Sequence, residues 1–120
     1  MSELRTFRSK EYKAWYNGLS SKDRRIVDSR VDVARKQGIL IKYKLLDANY
    51  SLYEFKWDNG LRVYFSLLRD SGGNFMLVLT AGNKNSQSKD IRESKNIITK
   101  AVKSIKEKLS KDEDKENERT

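Results

Sequence analysis

Between Leu61 and Gln87 the chain reads LRVYFSLLRDSGGNFMLVLTAGNKNSQ. Arg62 and Tyr64 alternate there with Leu61, Val63 and Phe65, so in a strand they share the face opposite the apolar residues. A second cation, Lys84, follows the next apolar run. A guanidinium, an ammonium and a phenol on one surface can bind a phosphate and move protons around it. The chain has no histidine and no cysteine, so the commonest acid/base group at neutral pH, disulfides and thiolate metal sites are all missing. Catalysis would fall to Lys, Arg, Tyr, Ser, Asp or Glu.

The elements that must position these residues can be registered against one another. Tyr53, Phe55 and Trp57 form one apolar set and Leu61, Val63, Phe65 and Leu67 the next. Burying both sets on one side of a sheet fixes the pairing. A two-residue Asn59-Gly60 loop would put Trp57 opposite Arg62 and mix the faces. A three-residue loop, Asp58-Asn59-Gly60 with a left-handed Gly60, pairs Trp57 with Leu61 and keeps the apolar face whole. Lys56 then lies opposite Arg62, and Glu54 opposite Tyr64, on the other, solvent-facing side. Like charges across a strand pair cost a few tenths of a kcal/mol, roughly, and make sense if an anion sits between them. Lys84, two residues beyond Gly82, could close that site from the neighbouring strand. The plainer reading is of solvated surface charges with Glu54 neutralising one of them, and of Tyr64 as a strand-forming aromatic.

Around this hairpin the pattern predicts two N-terminal helices, a meander and a last helix. Tyr12, Trp15, Tyr16 and Leu19 line one face of a helix within 7–19. A second helix starts at Ser20 as N-cap with Asp23 three residues on, carries Ile26, Val27, Val31 and Ala34, and stops at Gly38. After the link GILIKYKLL the period changes to two, with strands over 52–57, 61–68 and 75–80 separated by the turn sequences DNG and DSGGN. Ile91, Ile98, Val102, Ile105 and Leu109 mark a helix over 88–109, its stripe read as core in preference to a partner surface. The expected fold is α+β: two helices on a twisted antiparallel sheet of about three to five strands, plus the C-terminal helix. One domain of residues 1–109 and a charged, unfolded tail of 110–120 follow from this.

Charge narrows the partners. Lys and Arg number 26 against 17 Asp and Glu, a net of +9. Such a surplus favours RNA, DNA, an acidic protein or an anionic membrane surface. No run approaches the roughly 18 apolar residues of a membrane span, and the start lacks the apolar stretch of a signal peptide, so a cytoplasmic protein is expected. There is no Gly-rich phosphate loop, and no cofactor or metal is expected.

The ordered set EYKAWYNGL, LYEFKW, LRVYFS, LVLTAGNKNSQ and KDI resembles the RelE/ParE superfamily of toxins, and most closely its HigB-like, phage-derived addiction-module branch. The likeness spans about residues 7–91. It implies a metal-independent endoribonuclease that cuts mRNA in the ribosome, the RNA 2′-hydroxyl attacking its own phosphate, restrained by a small helix-turn-helix antitoxin. It places Arg62 as phosphate clamp, Lys84 as stabiliser or acid, Lys56 as second clamp or base, and Tyr64 as a further participant. Gln87, Asn83 and Glu54 fall among the substrate-binding positions. Two departures stand out: the acid/base histidines and late tyrosine of some relatives are missing, and GNK replaces the commoner GDK. Two alternatives remain, a ParE-like gyrase poison and an inactive relative that binds RNA or antitoxin.

Overall fold

The computed structural model describes residues 4–37 and 43–118. Helix formation at the N-terminal end follows from local capping. The Ser9 hydroxyl accepts from the Tyr12 N–H at 3.0 Å to open α1 (Lys10–Asn17), and the Ser20 hydroxyl accepts from the Asp23 N–H at 3.2 Å to open α2 (Ser21–Gln37). Each cap contributes about 1 kcal/mol. Gly38, expected to end the second helix, and the start of the following link lie outside the described residues.

There are five strands among the described residues: β1 (Arg5–Arg8), β2 (Lys44–Asp47), β3 (Leu52–Lys56), β4 (Leu61–Asp70) and β5 (Gly73–Asn83). They form one sheet in the order β1-β5-β4-β3-β2. The three predicted strands are present, β4 and β5 being longer than the apolar runs because their polar ends continue the pairing. The sheet is mixed, not purely antiparallel: β1 runs parallel to β5, with Arg5 opposite Phe75 and Arg8 opposite Val78. Four residues carrying one large apolar side chain hold no readable alternation, so only pairing with β5 makes this segment a strand. β2 likewise comes from the link after the second helix.

The apolar residues divide between the two faces of the sheet. Tyr12 of α1 and Val27, Val31 and Ala34 of α2 are buried against Phe55, Trp57, Val63, Phe65, Met76, Val78 and Ala81. On the other face, α3 (Gln87–Glu118) packs Ile98 with Leu52, Tyr64 and Leu79, and Ile91, Ile97 and Val102 pack around them. The face expected to meet solvent is therefore covered by α3. Its stripe serves as core at Ile91, Ile98 and Val102, while Leu109 remains 39% exposed. The helix continues beyond Leu109, where the apolar pattern ends, to Glu118.

A bulge sets the phase of the two ends of β5. Tyr64 pairs with Thr80 but Phe65 with Val78, leaving Leu79 as the extra residue. The shift keeps Val78 and Ala81 in the α1/α2 core while Gly82 comes beneath the start of α3. No helix among the described residues is long and apolar enough to cross a membrane.

Candidate functional site

The predicted hairpin register is the observed one. Lys56 pairs with Arg62, Phe55 with Val63 and Glu54 with Tyr64. The Trp57 N–H donates to the Leu61 carbonyl at 3.1 Å, closing a three-residue loop in which Gly60 has a φ of +96°. On β5, Gly82 stands opposite Arg62, so Lys56, Arg62 and Gly82 lie in one row across three strands. The Lys84 N–H donates to the Gly60 carbonyl at 3.1 Å, which ties the turn after β5 to the same hairpin. The structure thus brings Lys56, Arg62 and Lys84 to one end of the sheet. Lys56 and Lys84 are exposed there.

Arg62 is not the surface cation that strand alternation suggests, since it is only 9% exposed. Its Nη1 donates to the carbonyls of Leu61, at 2.9 Å, and Trp57, at 3.3 Å. These bonds hold the guanidinium against the hairpin loop. Among the described residues no carboxylate pairs with it, and the Nε–Nη2 edge has no protein acceptor. That is the edge from which two phosphate oxygens can accept at once.

Beneath the first turns of α3 lies a buried polar layer of Glu54, Tyr64, Thr80, Asp90 and Ser94. Gln87 at the helix start donates from Nε2 to Glu54 Oε2 at 2.9 Å. Asn83 caps the single 3-10 turn Lys84–Ser86, its Oδ1 accepting from the Asn85 and Ser86 N–H groups at 2.8 and 3.2 Å. Of the residues predicted to bind substrate, Gln87 and Glu54 therefore bond each other, and the Asn83 side-chain oxygen serves the backbone.

Tyr64 is fully buried and, among the described residues, its hydroxyl has no partner in hydrogen-bonding geometry. Burial holds the phenol well above its ordinary value of 10, and the Glu54 and Asp90 carboxylates push it the same way against the smaller opposing pull of Arg62. The folded protein thus keeps the proton at a pH where the unfolded chain releases it. The neutral phenol's contribution is complete below pH 10 and is lost as pH rises beyond it. Tyr64→Phe removes an unsatisfied buried hydroxyl and is expected to raise stability by about 1 kcal/mol at neutral pH. In urea unfolding from neutral pH to above pH 10, the variant's advantage should widen on the alkaline side. A variant less stable than wild type at pH 7 would show that the hydroxyl is satisfied after all.

Three residues outside the predicted set share this end of the sheet. Arg30 of α2 lies 4.5 Å above the Trp57 ring and donates from Nη1 to the Lys56 carbonyl at 2.8 Å. Tyr43 immediately precedes β2 and Lys44 opens it, with Lys44 directly opposite Glu54. With Glu54, Lys56, Trp57 and Asp58 they line an open groove of about 500 Å³. Lys44 could have been found by reading the link as a strand alternating with Tyr43 and Leu45. Nothing local marks Arg30, which reaches the groove only through the packing of α2. Among the described residues no three Asp or Glu come together as a metal site.

With two helices on one face of the sheet and a long helix on the other, the architecture can be set against known structures. A mutant of the E. coli toxin RelE in the free state, with two arginines replaced by alanine, is similar to this chain with a TM-score of 0.61 at 15% identity. The match covers 78% of this chain and 95% of that one. The chain has a RelE/ParE-like fold. No family model matches it, and no match was found among curated proteins.

Proposed function

We propose that the protein is the toxin of a type II toxin–antitoxin pair, of the HigB-like branch, and that it blocks translation by cutting mRNA held in the ribosome. The observation that carries this reading is the cationic row at the hairpin end of the sheet, Lys56 opposite Arg62 with Lys84 tied to the Gly60 carbonyl. A net charge of +9 and the RelE/ParE-like fold support it.

In this reading the ribose 2′-hydroxyl attacks the adjacent phosphorus while the bond to the 5′-oxygen breaks, leaving a 2′,3′-cyclic phosphate and a 5′-hydroxyl. The requirement for that hydroxyl restricts the reaction to RNA. Arg62 binds two non-bridging oxygens through its Nε–Nη2 edge as negative charge builds on them. Lys56 takes the hydroxyl proton or clamps the phosphate from β3. Lys84 stabilises the leaving oxygen and delivers its proton. Gln87 orients substrate through Glu54. Tyr64→Phe separates a phenol that shares in proton transfer from one that only packs. The ribosome supplies the substrate, and a helix-turn-helix antitoxin covers the basic end.

The test is primer extension on a reporter mRNA in a purified translation system, with wild type, Arg62→Ala and Lys84→Ala. Ribosome-dependent cuts that vanish in the variants are the expected result. Intact mRNA with wild-type protein overturns the reading, and inhibition of purified gyrase in its place would assign a ParE-like poison.

A further inference from the structure

The end of β1 and the helical hairpin of α1 and α2 surround a separate cavity of about 350 Å³, which shares no lining residue with the groove at the hairpin end of the sheet. Arg8 pairs with Val78, whose side chain belongs to the α1/α2 core, so strand pairing turns Arg8 to that face. Tyr12 and Tyr16 lie one turn apart on α1, with Lys13 and Asn17 in the adjacent row, and Asp28 reaches across from α2. The Tyr16 hydroxyl donates to Asp28 Oδ2 at 2.5 Å, while Oδ1 has no donor among the described residues. Arg24 closes the end of the helical hairpin by donating to the Tyr16 and Asn17 carbonyls.

Two features distinguish this cavity from ordinary helix packing. Arg8 and Asp28 bring opposite charges to it from β1 and α2, yet no ion pair joins them, and among the described residues neither Arg8 nor Lys13 has an ion-pair partner. The fold thus holds a positive and a negative side chain apart across open space. Beside the gap is Tyr12, 1% exposed, whose hydroxyl has no partner in hydrogen-bonding geometry among the described residues. Burial holds this phenol above its ordinary value of 10, the Asp28 carboxylate pushes it the same way, and Arg8 opposes them. Both charges therefore lie near the unpartnered hydroxyl.

We infer that this cavity binds a small zwitterion of the free α-amino acid class, its carboxylate on Arg8 and Lys13 and its ammonium on Asp28 Oδ1. A separated pair of opposite charges is a fixed dipole, and the ligand that neutralises both ends carries an anion and a cation a few bonds apart. A simple anion would satisfy Arg8 and Lys13 but would sit beside Asp28, which repels it. A simple cation would meet two positive side chains. In a zwitterion each charge faces its opposite, and both contacts are charge-assisted hydrogen bonds. The Tyr12 hydroxyl, which keeps its proton, gives the carboxylate a further donor at the inner end. The inference is independent of the nuclease reading, because none of these residues belongs to the cationic row of Lys56, Arg62 and Lys84.

The test is an amide-shift NMR titration of the full chain with L-alanine, using sodium acetate and methylammonium chloride as half-ligands. L-Alanine is expected to bind saturably with a Kd of about 1 mM, in line with two charge-assisted contacts on a small ligand, and to shift the amides of Tyr12, Tyr16 and Asp28. Each half-ligand should bind at least about tenfold more weakly. Arg8→Ala and Asp28→Asn should each weaken L-alanine about tenfold, and Tyr12→Phe about threefold. The asparagine keeps an oxygen for the Tyr16 hydroxyl but turns its NH₂ to the ligand's ammonium. Unfolding midpoints verify that each variant is folded.

Acetate binding as tightly as L-alanine would make this a plain anion site, and the absence of saturable shifts would leave only water in the cavity. Either result overturns the inference, as does L-alanine affinity unchanged in both Arg8→Ala and Asp28→Asn. A protein that binds the zwitterion and cuts no mRNA removes only the nuclease, and one that cuts mRNA without binding L-alanine removes only this site.

Discussion

Arg62→Ala is expected to lower the rate of ribosome-dependent mRNA cleavage by at least 10²–10³-fold, roughly the loss seen when one donor to a developing oxyanion is removed. Two effects compete for the explanation, because the Arg62 guanidinium also donates to the Leu61 and Trp57 carbonyls. Losing those bonds costs about 1–2 kcal/mol of stability. A domain of 5–15 kcal/mol, roughly, survives that loss as a folded protein at room temperature. Unfolding alone would then remove only a small fraction of the activity. Arg62→Lys separates the effects further. An ammonium can still reach a loop carbonyl but cannot present two parallel N–H donors to a phosphate, so stability should recover more than cleavage does. Cleavage rates and urea midpoints measured on the three proteins decide between clamp and scaffold. Full cleavage by Arg62→Lys would argue that any positive charge suffices and would remove the bidentate clamp.

The largest effect on the fold is expected from Gly82→Ala. A Cβ built at Gly82 would overlap Asp90 Oδ2 and Ser86 Oγ and stand 3.1 Å from Asp90 Cγ. Those two side chains are bonded to each other at 2.5 Å and cross-link the turn after β5 to the first turns of α3. Accepting the methyl means breaking that bond and shifting the start of α3, for a loss of about 2–3 kcal/mol in urea unfolding. Asp90→Ala alone should cost about 1–2 kcal/mol for the lost buried bond. In the double variant the clash with Asp90 is relieved while that with Ser86 Oγ remains, so the combined loss should fall short of the sum. Additive losses would mean that the strain lies against Ser86 or in the backbone of β5 and not against Asp90. Because Gln87 precedes Asp90 by less than a turn, Gly82→Ala should also disturb the Gln87–Glu54 bond.

Much of the site's local geometry is written in the sequence. The apolar sets Tyr53-Phe55-Trp57 and Leu61-Val63-Phe65 cannot share a face unless the loop has three residues, and the side-chain period of two then forces Lys56 against Arg62 and Glu54 against Tyr64. The Ser9 and Ser20 caps and the helical spacing of Tyr12, Val27 and Val31 are equally local, because capping and amphipathic periodicity act over one or two turns. Tertiary structure alone decides what lies over that register. The charged face of the hairpin looks solvent-exposed in an isolated strand pair, and the docking of α3 makes it an interior where Tyr64 is sealed and Arg62 nearly so. The β5 bulge that brings Gly82 beneath α3, and the parallel pairing that makes a strand of Arg5–Arg8, depend on partners distant in the chain. The groove of Arg30, Tyr43, Lys44 and Glu54 exists only because α2 and β2 come to the same end of the sheet. Local patterns determine which face a side chain takes within its element, whereas what covers that face depends on contacts whose free energy is gained only when the whole chain has folded.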